Sequence, residues 1–165
     1  MNRGLLQQVA TPSELYEFPN SRFVAEFIGS VNMFEGRFAA DEHDHSVIDA
    51  KGLPTPIYLD HGVTGGRGSS VWVALRPEKI ELHKRGDGQA APPMDDAPPG
   101  HNVIPGRIRQ ITYLGSESVY EVGRDNGVSM RALRSNLTRH DQEDFTANEP
   151  VWLAWHACSP VVLLS

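Results

Sequence analysis

At 165 residues and 39% apolar content, the chain fits one or two domains and can bury a real core, roughly 70% of the surface its unfolded chain exposes. A net charge of −6 argues against nucleic acid or an anionic membrane surface as partner, and a single cysteine, Cys158, excludes an internal disulfide framework. No apolar run of about eighteen residues and no charged-then-apolar leader is present, so a cytoplasmic protein is expected. Fifteen Gly and twelve Pro favour short strands joined by turns.

Residues 1–10 carry the apolar side chains Leu5, Leu6 and Val9 and read as a strand that lacks a sheet of its own. Thr11-Pro12-Ser13-Glu14 is a helix start: Thr11 as N-cap, Pro12 at the first helical position and Glu14 closing a capping box. Pro19 ends that helix, and a second begins near Asn20 or Ser21. Its Phe23, Val24, Phe27 and Ile28 form a stripe that must dock on something, and Gly29 stops it.

From Val31 the helical period gives way to short strands. They are expected over 31–39, 46–50, 56–59, 71–75 and 79–84, and after an interval over 103–113, 118–124, 128–134, 151–156 and 161–164. Residues 86–100, rich in Pro and Gly, read as an irregular linker. Asp125-Asn126-Gly127 is a hairpin signal, because Asn-Gly suits the positive φ of a type I′ turn. Phe34-Glu35-Gly36-Arg37-Phe38 is echoed by Ile104-Pro105-Gly106-Arg107-Ile108, and Val71-Trp72-Val73-Ala74-Leu75 by Val151-Trp152-Leu153-Ala154-Trp155. The expectation is two related β units, 31–85 and 103–165, separated by a linker over 86–102 and preceded by the connecting helices of 1–30.

The most specific local feature is Arg76-Pro77-Glu78. Pro77 breaks the ladder where a strand with two apolar faces ends, and it holds Arg76 extended. The triplet reads as a structural corner with an exposed ion pair rather than a catalytic group. No Gly-x-x-x-x-Gly-Lys-Ser/Thr phosphate loop occurs, and Gly65-Gly66-Arg67-Gly68 lacks its lysine. His43 and His45 are the best metal candidates, since alternate residues share one strand face, but no second ligand cluster accompanies them. Cys158, in an apolar run, reads as a small buried hydrophobe. Arg107, Arg109, Arg124, Arg131 and Arg134 place a basic stripe near Tyr113 and Tyr120, which on an OB-like barrel suits a single strand. Overall acidity favours a solvated face instead.

Several runs, taken in order, resemble the C-terminal part of the ATP-binding subunit of polyamine ABC importers of the putrescine and spermidine type. They are Gly4-Leu5-Leu6-Gln7-Gln8, Thr11-Pro12-Ser13-Glu14-Leu15-Tyr16-Glu17-Phe18-Pro19 and Asn32-Met33-Phe34-Glu35-Gly36. Leu75-Arg76-Pro77-Glu78-Lys79-Ile80, Tyr113-Leu114-Gly115 and Val119-Tyr120-Glu121-Val122 follow. The resemblance implies a mainly β fold with OB-like transport-associated (TOBE) barrels built from the two units. It also implies a regulatory or dimerisation role without chemistry, in which Arg76, Pro77, Glu78, Tyr113, Gly115 and Tyr120 form a structural corner. Leu5, Leu6, Val9, Phe23 and Phe27 are then the residues expected at a contact between copies.

The implied partners are a second copy, an ATPase domain that would hold ATP and magnesium, and membrane permeases at the inner face of the membrane. No cofactor and no nucleic acid are expected for this chain itself. Thr138-Arg139-His140-Asp141-Gln142-Glu143 mimics the family's switch-histidine segment but follows the barrel strands, and it reads as a surface loop. Two other readings are a sensor for a polyamine or an oxyanion and an OB-type binder of single-stranded nucleic acid.

Overall fold

The computed structural model describes residues 1–86, 100–124, 127–136 and 144–164. The expected linker, the Asp125-Asn126 turn tip and the 138–143 segment therefore lie largely or wholly outside the described residues. Two short helices, α1 (Pro12–Glu17) and α2 (Arg22–Ile28), precede ten strands. These are β1 (Asn32–Asp41), β2 (Ser46–Ala50), β3 (Ile57–Leu59), β4 (Ser70–Leu75) and β5 (Glu81–Lys84), then β6 (His101–Tyr113), β7 (Glu117–Gly123), β8 (Ser129–Ser135), β9 (Pro150–His156) and β10 (Val161–Leu163). The strands expected from Val31 onward are all present, and the fold is mainly β with OB-like units. The start of the 79–84 segment differs: Pro77–Lys79 forms a 3₁₀ turn before β5 begins.

The strands form two five-stranded antiparallel sheets, ordered β10-β4-β1-β2-β3 and β5-β9-β6-β7-β8. Sheet membership crosses the expected unit boundaries, because the last strand of each half pairs in the sheet of the other. Val161 to Leu163 pair with Ala74 to Trp72, and Glu81 to Lys84 pair with Ala154 to Val151. One core lies between the sheets. Phe34, Phe38, Ile48, Leu59, Val71, Val73 and Leu75 meet Ile104, Ile108, Val122, Met130, Leu153 and Trp155 there. Period-two alternation produces this arrangement by sending every second residue inward.

The internal repeat extends to backbone irregularities. The β1–β2 register shifts between Phe38 and Ala40, and the β6–β7 register shifts between Ile108 and Gln110. Each bulge lies just beyond the matched glycine, Gly36 or Gly106, where it bends a long strand around the core. Both glycines are required for close approach. A Cβ at Gly36 would stand 2.6 Å from the Asp49 carbonyl oxygen, and one at Gly106 would stand 2.5 Å from a Val122 methyl. Gly36→Ala must push β2 away from β1 and is expected to cost about 2 kcal/mol in urea unfolding. A change within measurement error would mean that the pair separates freely.

Two short apolar segments depart from expectation. Residues 1–10 form no strand; Asn2 and Leu5 exchange two 2.9 Å backbone hydrogen bonds across a tight turn, with Arg3 and Gly4 at φ of 49° and 79°. Leu5, Leu6 and Val9 are exposed, and the segment is tethered by Gln8, whose side chain accepts from the Asn20 N–H (2.9 Å) and donates to the Phe18 carbonyl (3.1 Å). In α2 the seat is Val24 and Ala25, whereas Phe27 is 72% exposed. Ala25 packs with Ala74 and Leu163 on the outer face of β4 and β10, with Met33 and Trp72 beside them. Phe23 and Phe27 stack on each other at 5.7 Å instead of docking together.

Candidate functional site

The Arg-Pro-Glu corner is where the helices join the β body. Thr11 caps α1 through the complete capping box with Glu14, and the Ser21 hydroxyl accepts from the Val24 N–H to start α2. The end of α2 has no such device: Gly29 is extended (φ 168°), so no left-handed residue folds an amide back onto the last carbonyls. Arg76 supplies the missing donors. Its Nη1 donates to the carbonyls of Ala25 (3.1 Å), Gly29 (3.2 Å) and Ser30 (3.1 Å), and Nη2 donates to that of Tyr16 (3.2 Å). The guanidinium also lies 4.2 Å from the centre of the Tyr16 ring. Only 7% of Arg76 is exposed, so the expected ion pair with Glu78 is replaced by a buried cation set among carbonyl dipoles at a helix C-terminus.

Glu78 instead accepts a short hydrogen bond from the Tyr16 hydroxyl, and Lys79 reaches Glu17 at 3.7 Å. Every charged residue of the corner thus binds part of α1 or α2. Burial, followed by the hydrogen bond and negative charge of Glu78, pushes the Tyr16 phenol up from 10.0 to about 12. A phenol raised in the folded state adds stability that is complete below pH 10 and is lost as the pH rises through about 12. In an ultraviolet titration Tyr16 should ionise above its ordinary range, and Tyr16→Phe should remove that late step. Four tyrosines ionising together in the wild type would contradict the assignment.

The second expected motif is brought beside the first. Glu78, Ser116, Glu117, Leu133 and Ser135 line a cleft of about 410 Å³ between the 3₁₀ turn, the β6–β7 turn and β8. Gly115 gives that turn its positive φ of 89°, and its carbonyl accepts from Asn136 Nδ2 at 3.0 Å. Tyr113 is 71% exposed at the end of β6, whereas Tyr120 is half-buried edge-on to Phe145 at 5.9 Å. The arginines of the expected stripe diverge. Arg107 and Arg124 join Arg85 around a cavity of about 120 Å³ beside Gly106 and Gly123, while Arg134 packs over Phe145 at 4.9 Å.

Among the described residues, neither His43 nor His45 belongs to a group of three metal-ligating side chains: His45 bonds Asp44 at 2.8 Å and stacks on Tyr58 at 5.7 Å. Cys158 is exposed rather than buried, because the turn after β9 sends Ala157 inward and Cys158 out. Two buried asparagines were missed by sequence reasoning. Asn32 Nδ2 donates to the Arg131 carbonyl (2.9 Å) while its Oδ1 accepts from the Arg131 N–H (2.8 Å). Asn102 does the same with Tyr58, at 2.9 and 2.8 Å. Each amide pairs like a strand residue and ties the first residues of β1 or β6 to the edge strand of the opposite sheet. The signal was present in the repeat, since Asn32-x-x-x-Gly36-Arg37 and Asn102-x-x-x-Gly106-Arg107 keep the same spacing.

Residues 73–163 match the family model described as the TOBE domain. The chain is 40% identical over 163 residues to the putrescine transport ATP-binding protein PotG of Escherichia coli (strain K12), covering 99% of this chain and 41% of that protein. It is 34% identical over 164 residues to the spermidine/putrescine import ATP-binding protein PotA of Rubrobacter xylanophilus (strain DSM 9941 / JCM 11954 / NBRC 16129 / PRD-1), covering 99% and 39%. It thus spans about two fifths of the length of these curated relatives. Among solved structures, the cytoplasmic molybdate-binding protein ModG superposes with a TM-score of 0.59 at 11% identity, over 79% of this chain and 94% of that one. That likeness concerns the fold alone.

Proposed function

Because the chain belongs to the TOBE domain family, we propose that it serves as the non-catalytic, regulatory and dimerising region of the ATP-binding subunit of a polyamine importer. The observation that carries this reading is the Arg76 anchor, which fixes α1 and α2 to the β body through four backbone carbonyls. Whatever precedes α1 in such a subunit is held to the β body through this corner, so movement of one side is passed to the other. The relatives' names supply the substrate class, and ATP with magnesium belongs to the ATPase domain of such a subunit. Exposed Leu5, Leu6, Val9 and Phe27 support a contact with a second copy or with the ATPase domain.

The test replaces the matching segment of the Escherichia coli PotG relative with this chain and measures putrescine uptake into cells. Uptake near the parental rate, reduced by Arg76→Ala while ATP hydrolysis by the solubilised subunit persists, supports the coupling role. Loss of hydrolysis on Arg76→Ala would overturn it. A second reading, polyamine sensing, is favoured by the cleft in which Glu78 and Glu117 flank the apolar Leu133, an arrangement suited to two ammonium groups joined by methylenes. Calorimetric titration of the chain with putrescine separates the readings, because heat that disappears in Glu117→Gln would assign binding to that cleft.

A further inference from the structure

We propose that Asp60, His156 and Cys158 form a binding site for one borderline-soft divalent cation of the zinc class. One donor atom from each, a carboxylate oxygen, an imidazole nitrogen and the thiol sulfur, lies within 4.8 Å of the others. Donors around one tetrahedral ion stand about 3.4–3.8 Å apart, so closure needs a shift of roughly an ångström, within the reach of exposed rotamers. His156 and Cys158 stand two residues apart, and Asp60 comes from the other half of the chain, brought alongside where β3 meets β6 through the Tyr58–Asn102 hydrogen bonds and β6 pairs with β9. Asp60 follows β3, His156 ends β9, and Cys158 sits in the turn that carries the chain across to β10.

The backbone beneath the donors is fixed. Leu59 and Ala157 are fully buried, the Ser159 N–H donates to the His156 carbonyl at 3.0 Å, and the Ala157 N–H donates to that of Gly100 at 2.7 Å. His101 packs edge-on to His156 at 4.9 Å and restricts the ring. The Cys158 N–H donates to His156 Nδ1 at 3.2 Å, and this hydrogen bond gives way on binding, when one ring nitrogen offers its lone pair to the ion and the other carries the proton. A mixed sulfur, nitrogen and oxygen set on rigid strand ends suits zinc, and an all-oxygen set would be needed for magnesium or calcium. All three side chains are exposed, so the fourth position is open to water. Binding releases the Cys158 thiol proton to solvent and involves no change of oxidation state.

Cobalt(II) is the probe, since a thiolate ligand gives it a charge-transfer absorption in the near ultraviolet. Cys158 is the sole cysteine, so that band reports on one residue. Titration of the metal-free chain should give one cobalt per chain with the band present, and zinc should displace it. Cys158→Ser should abolish the band, and His156→Ala or Asp60→Ala should weaken zinc binding about tenfold or more in calorimetry. His43→Ala should leave binding unchanged, and circular dichroism checks that each variant is folded. The proposal is overturned by absence of the band, by one ion per two chains, or by zinc affinity unaltered in folded His156→Ala and Asp60→Ala. None of these outcomes bears on the transport reading.

Discussion

Arg76→Ala is expected to lower stability by about 3–4 kcal/mol and to release α1 and α2 before the β body unfolds. The substitution strands four carbonyls that otherwise share one guanidinium. Three of them belong to the last turn of α2 and the residues just after it, where the extended Gly29 provides no substitute donor. A helix of seven residues has little stability of its own, so the loss cannot be absorbed locally. Arg76→Lys restores the charge but not the planar fork or the stacking on Tyr16, and it should recover less than half of the deficit. Denaturant unfolding gives the magnitude, and amide exchange over residues 12–28 gives the location. An alanine variant with unchanged exchange there would show that Val24 and Ala25 hold the helices without the arginine.

The paired asparagines should produce a loss of similar size. Asn32→Ala and Asn102→Ala each remove two hydrogen bonds and leave an N–H and a carbonyl of the opposite edge strand without a partner. Each should cost about 2 kcal/mol. The double variant should lose about 4 kcal/mol if the two contacts are independent, as sites without shared partners usually are. Asn→Asp tests the geometry, because the carboxylate still accepts from the N–H but faces the carbonyl oxygen with no proton to give. It should be at least as damaging as alanine at neutral pH. Chemical denaturation of the four species reads the cycle, and single variants within about 0.5 kcal/mol of wild type would show that water replaces the amide.

Much of the strand pattern was legible because alternation is a local property: Val71, Val73 and Leu75 announce their inward face without reference to any partner. The helix starts were legible for the same reason, since capping boxes close within four residues. What escaped depends on contacts distant in sequence. Nothing around Leu82 or Leu163 states that these strands cross to the other sheet. The stripe of Phe23, Val24, Phe27 and Ile28 marks an apolar helix face without saying which of its members meet a neighbour. The sequence marks Arg76 as a corner, but only the fold shows that the helix end nearby is short of donors, which an ion pair with Glu78 would not supply. Cys158 misled because a run of apolar neighbours does not show where a strand ends and its alternation stops.

The exchange of β5 and β10 has a consequence for synthesis. While residues 161–163 remain inside the ribosome, β4 has no neighbour on its outer edge, and the seat of Ala25 lacks Leu163. The first sheet therefore waits for a strand that is translated about ninety residues after β4, and slow closure of such distant pairs is the rule. During that interval the edge of β4 is open to any strand nearby, including the β10 of another nascent copy. A chain truncated before Val161 would stay permanently in that exposed condition.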